Sequence, residues 1–468
     1  AVGCEQCAAA AKIMASKQIG HNEIDMLHGP LLMKILLFAL PLAASSVLQQ
    51  LFNSVDVAVV GRFASSEALA AVGSNAPVIN LLINLFVGIS MGANAVISNH
   101  IGQNDREKIR SAVSTSAVVA LLSGVFLMVL GTAVAGPVHR MMGTPVEVTR
   151  MAVSYLRIYF LGMPFIMIFN FGSAILRSLG DTRRPLYILI WAGIINTVLN
   201  LLFVIVFHMG VEGVAIATGI SNLFSAVMVV QILLREQDPY KLHLDDMHIQ
   251  KDELSHMLEI GVPAGLQGVV FSISNVIIQA SINSYGFNAV AGSAAALNFE
   301  QYCYYVIAAF NGAAISFVGQ NYGAGNMDRV KRIFLICMGL GTLSCALLNW
   351  VFAGWSDFFL GLFTDSQTVK DFGTIRMRTV LMFQGLACLY EIPGSALRGM
   401  GRSMLPTLLT VFGTCVLRIA WVYTVCPVWE GFHALMFVYP VSWIITGIMV
   451  MTAYLITFRR IQLKSLTV

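Results

Sequence analysis

The sequence predicts an all-α integral membrane protein: twelve transmembrane helices in two six-helix bundles related by pseudo-twofold symmetry. Three observations carry that expectation. The first is composition. Of 468 residues, 57% are hydrophobic and 11% charged, where soluble proteins carry about 25% charged residues. Mean hydropathy is +0.77. So few charges cannot cover a soluble fold of this length, so the bilayer is the solvent for most of the chain. This excludes a cytosolic enzyme, a disordered regulator and a nucleic-acid binder. A net charge of +4 is too small to point to an acidic polymer as partner. The second observation is the placement of basic residues, and the third is an internal repeat.

Apolar stretches of about 20 residues or more mark transmembrane helices. The first six fall at 31–60, 69–99, 111–136, 147–174, 185–207 and 211–234. The second six fall at 256–284, 289–318, 330–356, 367–396, 405–427 and 431–457. Several exceed the spanning minimum, which implies tilt or extension beyond the hydrocarbon. The only long polar stretch between them, REQDPYKLHLDDMHIQKDELS (235–255), divides the chain. The expected plan is an N-terminal tail (1–30), a first bundle (31–234), a linker (235–255), a second bundle (256–457) and a C-terminal tail (458–468), with both tails and the linker cytoplasmic.

Orientation follows from Lys and Arg. With a cytoplasmic N-terminus, 20 of the 28 lie in cytoplasmic segments, from Lys12, Lys17 and Lys34 through to Arg459, Arg460 and Lys464. Only Arg62, Arg140, Arg150 and Lys370 lie opposite, and Arg157, Arg376, Arg378 and Arg418 fall inside spans. One missed span would put the later basic loops on the wrong side, so the alternation supports the span count.

The halves repeat. GSAILRSLGDTRRP (172–185) returns as GSALRGMGRSMLP (394–406), with Arg177, Gly180 and Pro185 matching Arg398, Gly401 and Pro406 at a shift of 221. Pro41 and Pro263 are related by 222, and ISNHIGQNDREKIR (97–110) echoes VGQNYGAGNMDRVKR (318–332). An even number of spans per repeat makes the repeats parallel, related by an axis along the membrane normal. Such folds enclose a cavity between two bundles that rock against each other.

These residues resemble the multidrug and toxic compound extrusion (MATE) family. The resemblance rests on Pro41, QQLFNSVDVAVVGR (49–62), GISMGANAVIS (88–98), NTVLN (196–200), GVEGVAIAT (210–218), the paired ILRSLG and ALRG motifs, and VGQNYGAGN (318–326). It spans roughly residues 28–460. Asp56 in span 1, and a stretch after Pro263 (AGLQGVVFSISN) without an acid, make it similar to the DinF-like rather than the NorM-like branch. The resemblance implies export of amphipathic, cationic organic compounds by antiport with H+ or Na+, with no cofactor. It places Asp56 at the family's span 1 acid, Asn196 at a cavity Asn and Thr218 at a cavity hydroxyl. Asn200 departs from the pattern, since the family often has Asp there, so a scheme resting on two acids does not carry over intact.

The residues themselves support several candidates. A charged group in hydrocarbon is costly, so an intramembrane acid tends to face a cavity and to be functional. Asp56 is the lone acid inside the first half, with Asn53, Gln49 and Gly61 near its face. Burial favours the neutral form of a carboxylate, which suits proton exchange; neutral oxygens around it would instead suit Na+. Asn196 and Asn200 are four apart on one face and, with Thr218, are candidates for the same cation; interhelical amide bonding is the alternative. Glu300 is the matching acid of the second half. With Gln301, Tyr302, Tyr304 and Tyr305 it suits an organic cation by charge and cation–π attraction; an ion pair with Arg418 is the alternative, and both Glu300 and Arg418 are assigned to substrate. Glu391 and Arg398 share a face and read as a tether. Arg157, Arg376 and Arg378 are expected to snorkel to the outer interface. Pro41 and Pro263 break helix bonds and are expected as hinges or static bends. Gly88 and Gly92 form a G-x-x-x-G suited to close helix packing.

The remaining motifs add no chemistry. Cys303, Cys337, Cys345, Cys388, Cys415 and Cys426 lie in or near apolar segments as small hydrophobes. Cys4 and Cys7 form a C-x-x-C without a second ligand pair. Residues 1–30 hold no long apolar run of the signal-peptide kind. No H-E-x-x-H and no phosphate-loop motif occurs. The expected protein is a secondary multidrug transporter of the plasma or inner membrane. It would act as a monomer with both termini cytoplasmic, taking small organic molecules and contacting membrane lipid but no nucleic acid. A flippase for a lipid-linked precursor, a membrane enzyme and a channel are the rivals. The acidic candidates Asp56 and Glu300 argue against the first, and the lack of a clustered nucleophile, metal or acid-base pair argues against the second.

Overall fold

The structure is a computed structural model and describes residues 23–141 and 146–466. Cys4, Cys7, Lys12, Lys17 and most of the expected N-terminal tail lie outside the described residues. Twelve helical spans run through the described residues, with one bent pair taken as a single span. The first half contains α1 (Leu31–Phe63), α2 (Ser66–Gln103), α3 (Arg106–Met141), α4 (Val146–Leu161 and Met163–Ser178), α5 (Arg183–Leu201) and α6 (Gly210–Arg235). The second contains α7 (Lys251–Asn283), α8 (Phe287–Gly323), α9 (Met327–Gly354), α10 (Gln367–Thr379 and Cys388–Gly399), α11 (Met404–Thr424) and α12 (Phe432–Met436 and Val438–Leu466). Every expected span is present, and most run further than expected, because polar residues at the membrane edge continue the helical hydrogen bonding into water.

The breaks have local causes. The two pieces of α4 meet at 47°. Pro164 sits in the first turn of the second piece, where it removes an N–H and clashes with the preceding turn. Pro440 acts similarly just inside the second piece of α12. Residues Leu381–Ala387 wind α10 into tighter 3-10 geometry. A π turn follows α5 at Leu202–Val206, and another lies within α11 at Val411–Val416. Pro41 and Pro263 lie inside unbroken helices. Leu121, Leu122, Phe126, Leu347 and Trp350 on α3 and α9 are exposed, as lipid-facing positions must be.

The halves meet where side chains are smallest. A Cβ on Gly88 would lie 2.3 Å from the Gly265 nitrogen, and one on Gly92 would lie 2.2 Å from the Met257 carbonyl oxygen. Gly261 and Gly265 on α7 are thus the partners of the G-x-x-x-G on α2, and backbone packs directly on backbone. On the pseudo-twofold axis α2 meets α8. Asn94 and Ser316, related by 222, hydrogen-bond each other at 3.1 Å. A Cβ on Gly102 would meet the Gln320 carbonyl oxygen at 1.9 Å, and one on its repeat mate Gly323 would meet that of Asn99 at 2.1 Å. At the end bearing the basic loops, His100 pairs with Glu253 at 2.8 Å and Asn99 donates to the Gly399 carbonyl at 2.9 Å. The highest hydrogen bond between the halves is Tyr305 to Gln50, 2.9 Å, near the middle. Beyond it toward the other end, no hydrogen bond joins the halves among the described residues. The result is a V closed on the basic side.

Replacing Gly92 by Ala is expected to lower the thermal unfolding midpoint in detergent by several degrees, equivalent to about 1–3 kcal/mol of overpacking. Gly339 on α9 meets nothing within 4 Å, so Gly339→Ala should leave the midpoint unchanged or slightly raised. Equal midpoints for both variants would contradict the seam.

Candidate functional site

The first half has a polar centre built from four helices. Asp56 on α1 is 8% exposed. Gly193 on α5 allows the Phe52 ring of α1 to press onto its backbone, since a Cβ there would lie 1.8 Å from the ring. That contact brings α5 against α1 beside the acid. Asn200 of α5 donates one hydrogen bond to Asp56 Oδ1 and another to Asn196 Oδ1 at 3.1 Å. The Thr218 hydroxyl of α6 shares its proton between the Val214 carbonyl at 2.9 Å and Asp56 Oδ2 at 3.4 Å, and Asn196 donates to Thr218 at 3.4 Å. Tyr155 and Tyr159 of α4, stacked at 6.1 Å between ring centroids, lie within range of the Asp56 charge. The four residues expected as a coupling set therefore form one hydrogen-bonded cluster. The sequence reading missed the two tyrosines, although their spacing of four on the next span was a usable signal.

One atom in this cluster has no partner. Asn200 Oδ1 is buried and accepts no hydrogen bond. An acceptor beside a carboxylate, with the Asn196 amide and the Thr218 hydroxyl close by, offers neutral oxygens for a hard cation. It also offers a place for the proton of a protonated Asp56. The π turn at Leu202–Val206 begins two residues on, and such turns recur at functional sites. Gln49 and Asn53 do not join the cluster. Both are exposed and make no side-chain hydrogen bond among the described residues. Their neighbour Gln50, which the sequence reading passed over, is the residue that reaches Tyr305 across the halves.

The second half corrects three expectations. Glu300 is held by Arg376, not Arg418: Arg376 Nε and Nη2 lie 2.6 and 2.9 Å from its two carboxylate oxygens. Arg376 is 3% exposed and does not snorkel to an interface. A bidentate fork matches carboxylate geometry, and α10 winds tightly enough here for Gln384 to cap the Glu300 carbonyl at 3.0 Å. With both oxygens engaged, Glu300 is no free anion for an organic cation. Arg418, also 3% exposed, instead donates Nε to Ser442 at 3.1 Å and lies 4.5 Å over the Tyr439 ring. Arg157 and Arg378 are exposed, as expected of snorkelling residues. Gln301 is exposed, and Tyr302 meets Tyr305 edge-on at 6.5 Å. Glu391 and Arg398 do not bridge each other: Asn311 donates to Glu391 at 2.8 Å, and Arg398 donates to Gln267 at 2.7 Å.

Removing one member of the buried pair leaves a naked charge in the interior. Arg376→Ala should therefore destabilise the protein by about 3–5 kcal/mol, read as lost folded yield and a lower unfolding midpoint. The double replacement Glu300→Gln with Arg376→Gln should recover much of the loss. A double variant as poor as the sum of the singles would contradict the pairing.

The chain is similar to known proteins over most of its length. A family model described as MatE matches residues 41–202 and again 263–424, one copy per half. The "Probable multidrug resistance protein YoeA" of Bacillus subtilis is 29% identical over 391 residues, covering 80% of this chain and 83% of that protein. The "Multidrug export protein MepA" of Staphylococcus aureus is 21% identical over 365 residues, covering 77% and 80%. A solved structure described as the outward-facing conformation of a multidrug resistance MATE family transporter superposes with a TM-score of 0.87 at 23% identity, covering 93% of this chain and 98% of that one. At that identity the likeness speaks for the fold.

Proposed function

The chain belongs to the MatE family, and from that premise we propose that it exports amphipathic organic compounds by antiport with H+ or Na+. The observation that carries the proposal is the Asp56 cluster: a buried carboxylate with one unpartnered amide oxygen beside it. Residues 31–234 and 256–457 act as the two moving units, joined by 235–255. The proposed location is a plasma or inner membrane with both termini on the cytoplasmic side, a reading supported by the excess of Lys and Arg on one side. The proposed branch is the DinF-like one, a reading supported by the acid in α1 and the lack of one after Pro263. One chain supplies both halves around the cleft, so it works as a monomer.

Ionised Asp56 accepts hydrogen bonds from Asn200 and Thr218. A protonated Asp56 must donate instead. Asn200 Oδ1 is an unused acceptor in the cluster, and to present it the amide turns over and releases Asn196. A sodium ion would draw the same oxygens inward. Either event resets the contact of α1 with α5 and α6, which is the geometry that lines the first half. Coupling then requires only that substrate bind the two geometries with different affinity. Pro41 and Pro263, at matched positions on α1 and α7, are the proposed bending points. Attraction for cationic compounds rests on Asp56, because Arg376 neutralises Glu300.

A fluorescent organic cation loaded into vesicles should leave under an imposed H+ or Na+ gradient, and the effective gradient names the ion. Asp56→Asn should abolish that efflux at unchanged expression. Efflux that survives the substitution would contradict coupling at Asp56.

A further inference from the structure

The two halves carry equivalent polar centres of opposite sign. Ile278 stands where Asp56 stands, at the shift of 222 that relates Pro41 to Pro263. Tyr439 and Ser442 occupy the places of Thr218 and Ser221, at the shift of 221 that relates Gly210 to Gly431. Arg376 occupies the place of Tyr155, at the shift that relates the helix starts Val146 and Gln367. For α5 and α11 the π turns fix the register. Each π turn adds a residue; it precedes Arg418 in α11 and follows Asn196 in α5, so between them the shift is 222 and Arg418 takes the place of Asn196. The acid of the first centre is thus an isoleucine in the second, and a tyrosine and an asparagine have become arginines.

The second centre is not neutral. Arg376 and Arg418 bring two positive charges and Glu300 one negative, and Glu300 belongs to Arg376. Among the described residues no carboxylate lies within ion-pair distance of Arg418, and of its guanidinium nitrogens only Nε makes a hydrogen bond. Glu391, the other acid of α10, is turned to Asn311. An unpaired guanidinium that is 97% buried is costly to maintain. Its central carbon lies 4.5 Å from the centroid of the Tyr439 ring, a cation–π contact. Ser274 of α7, one turn from Ile278, adds a buried hydroxyl with no partner. A groove of about 470 Å³ between α7 and α11 has Ile277 and Val422 in its lining. Val422 is one turn from Arg418 on α11, and Arg418 itself does not line the groove.

We propose that this centre is an oxyanion site in which the free edge of Arg418 binds a carboxylate on the exported compounds. This rests on the transport function proposed above and narrows its substrates to amphiphiles bearing an acid group. A planar fork with unused N–H donors matches a carboxylate in bidentate geometry. Arg376 does not compete, because Glu300 already fills its fork.

The test uses purified full-length protein and direct binding, so it does not depend on transport. The probes are N-dansyl-phenylalanine and its methyl ester, read by fluorescence anisotropy. The free acid is expected to bind at least about tenfold more tightly than the ester. Arg418→Gln should remove that preference while leaving the ester affinity unchanged, and Arg418→Lys should keep part of it; unfolding midpoints show whether each variant folds. Equal affinity of acid and ester for the native protein would overturn the site, as would a preference that survives Arg418→Gln. Displacement of the acid by phosphatidylglycerol but not by phosphatidylcholine would overturn it in favour of a lipid headgroup. Gradient-driven cation efflux without any acid preference would sink this inference and leave the transport reading standing; acid preference without efflux under either gradient would do the reverse.

Discussion

Hydrocarbon offers a polar group no hydrogen-bond partner, so each polar side chain within a span must find one inside the chain. That constraint organises this molecule. Asn94 and Ser316 satisfy each other on the pseudo-twofold axis, and Glu300 and Arg376 do so within the second half. Asn99 and His100 tie the halves at the basic end. Against this background the Asn200 carbonyl oxygen beside Asp56 accepts no hydrogen bond, and of the Arg418 guanidinium nitrogens only Nε donates one. Each is buried and poised, and each lies where a cation or an anion would complete the set.

The seam between the halves sets how the centres can work. Glycines on α2 and α7 bring backbone against backbone, and such contact does not slide smoothly. It favours a small number of discrete arrangements over continuous deformation. The arrangement here is closed on the basic side and, among the described residues, free of hydrogen bonds between the halves on the other. A change at Asp56 alters how α1 sits against α5 and α6, and α1 also touches the second half through Gln50 and Tyr305. On the proposed reading, α1 itself joins the Asp56 cluster to the interface, without a long relay.

Much of this was legible in the sequence, and the reasons are physical. Span number and order followed from hydropathy and the alternation of Lys and Arg, because lipid and membrane potential act on composition rather than on detail. Asp56, Asn196, Asn200 and Thr218 emerged as one set because an acid and two amides within apolar helices have few alternatives to one another. The partner of Glu300 was not legible. Arg376 and Arg418 are both cations within spans, and choosing between them requires knowing how α10 turns through its 3-10 segment. Gln49 and Asn53 misled for a similar reason: helical spacing places them near Asp56, but which flank of α1 faces α5 is set by the Gly193 and Phe52 contact. The inverted polarity of the second centre was hidden because two π turns shift the repeat register by one residue at different points.

The account rests on Asp56 acting as the switch between arrangements of the two halves. The most direct measurement is the distance between spin labels on non-natural amino acids at Phe63 and Phe287, near the open ends of α1 and α8, by pulsed electron resonance in lipid nanodiscs. Adding the coupling cation should shift the distance distribution of the native protein and leave Asp56→Asn fixed in one population. An identical shift in both proteins would contradict the account, since the cation would then be acting elsewhere.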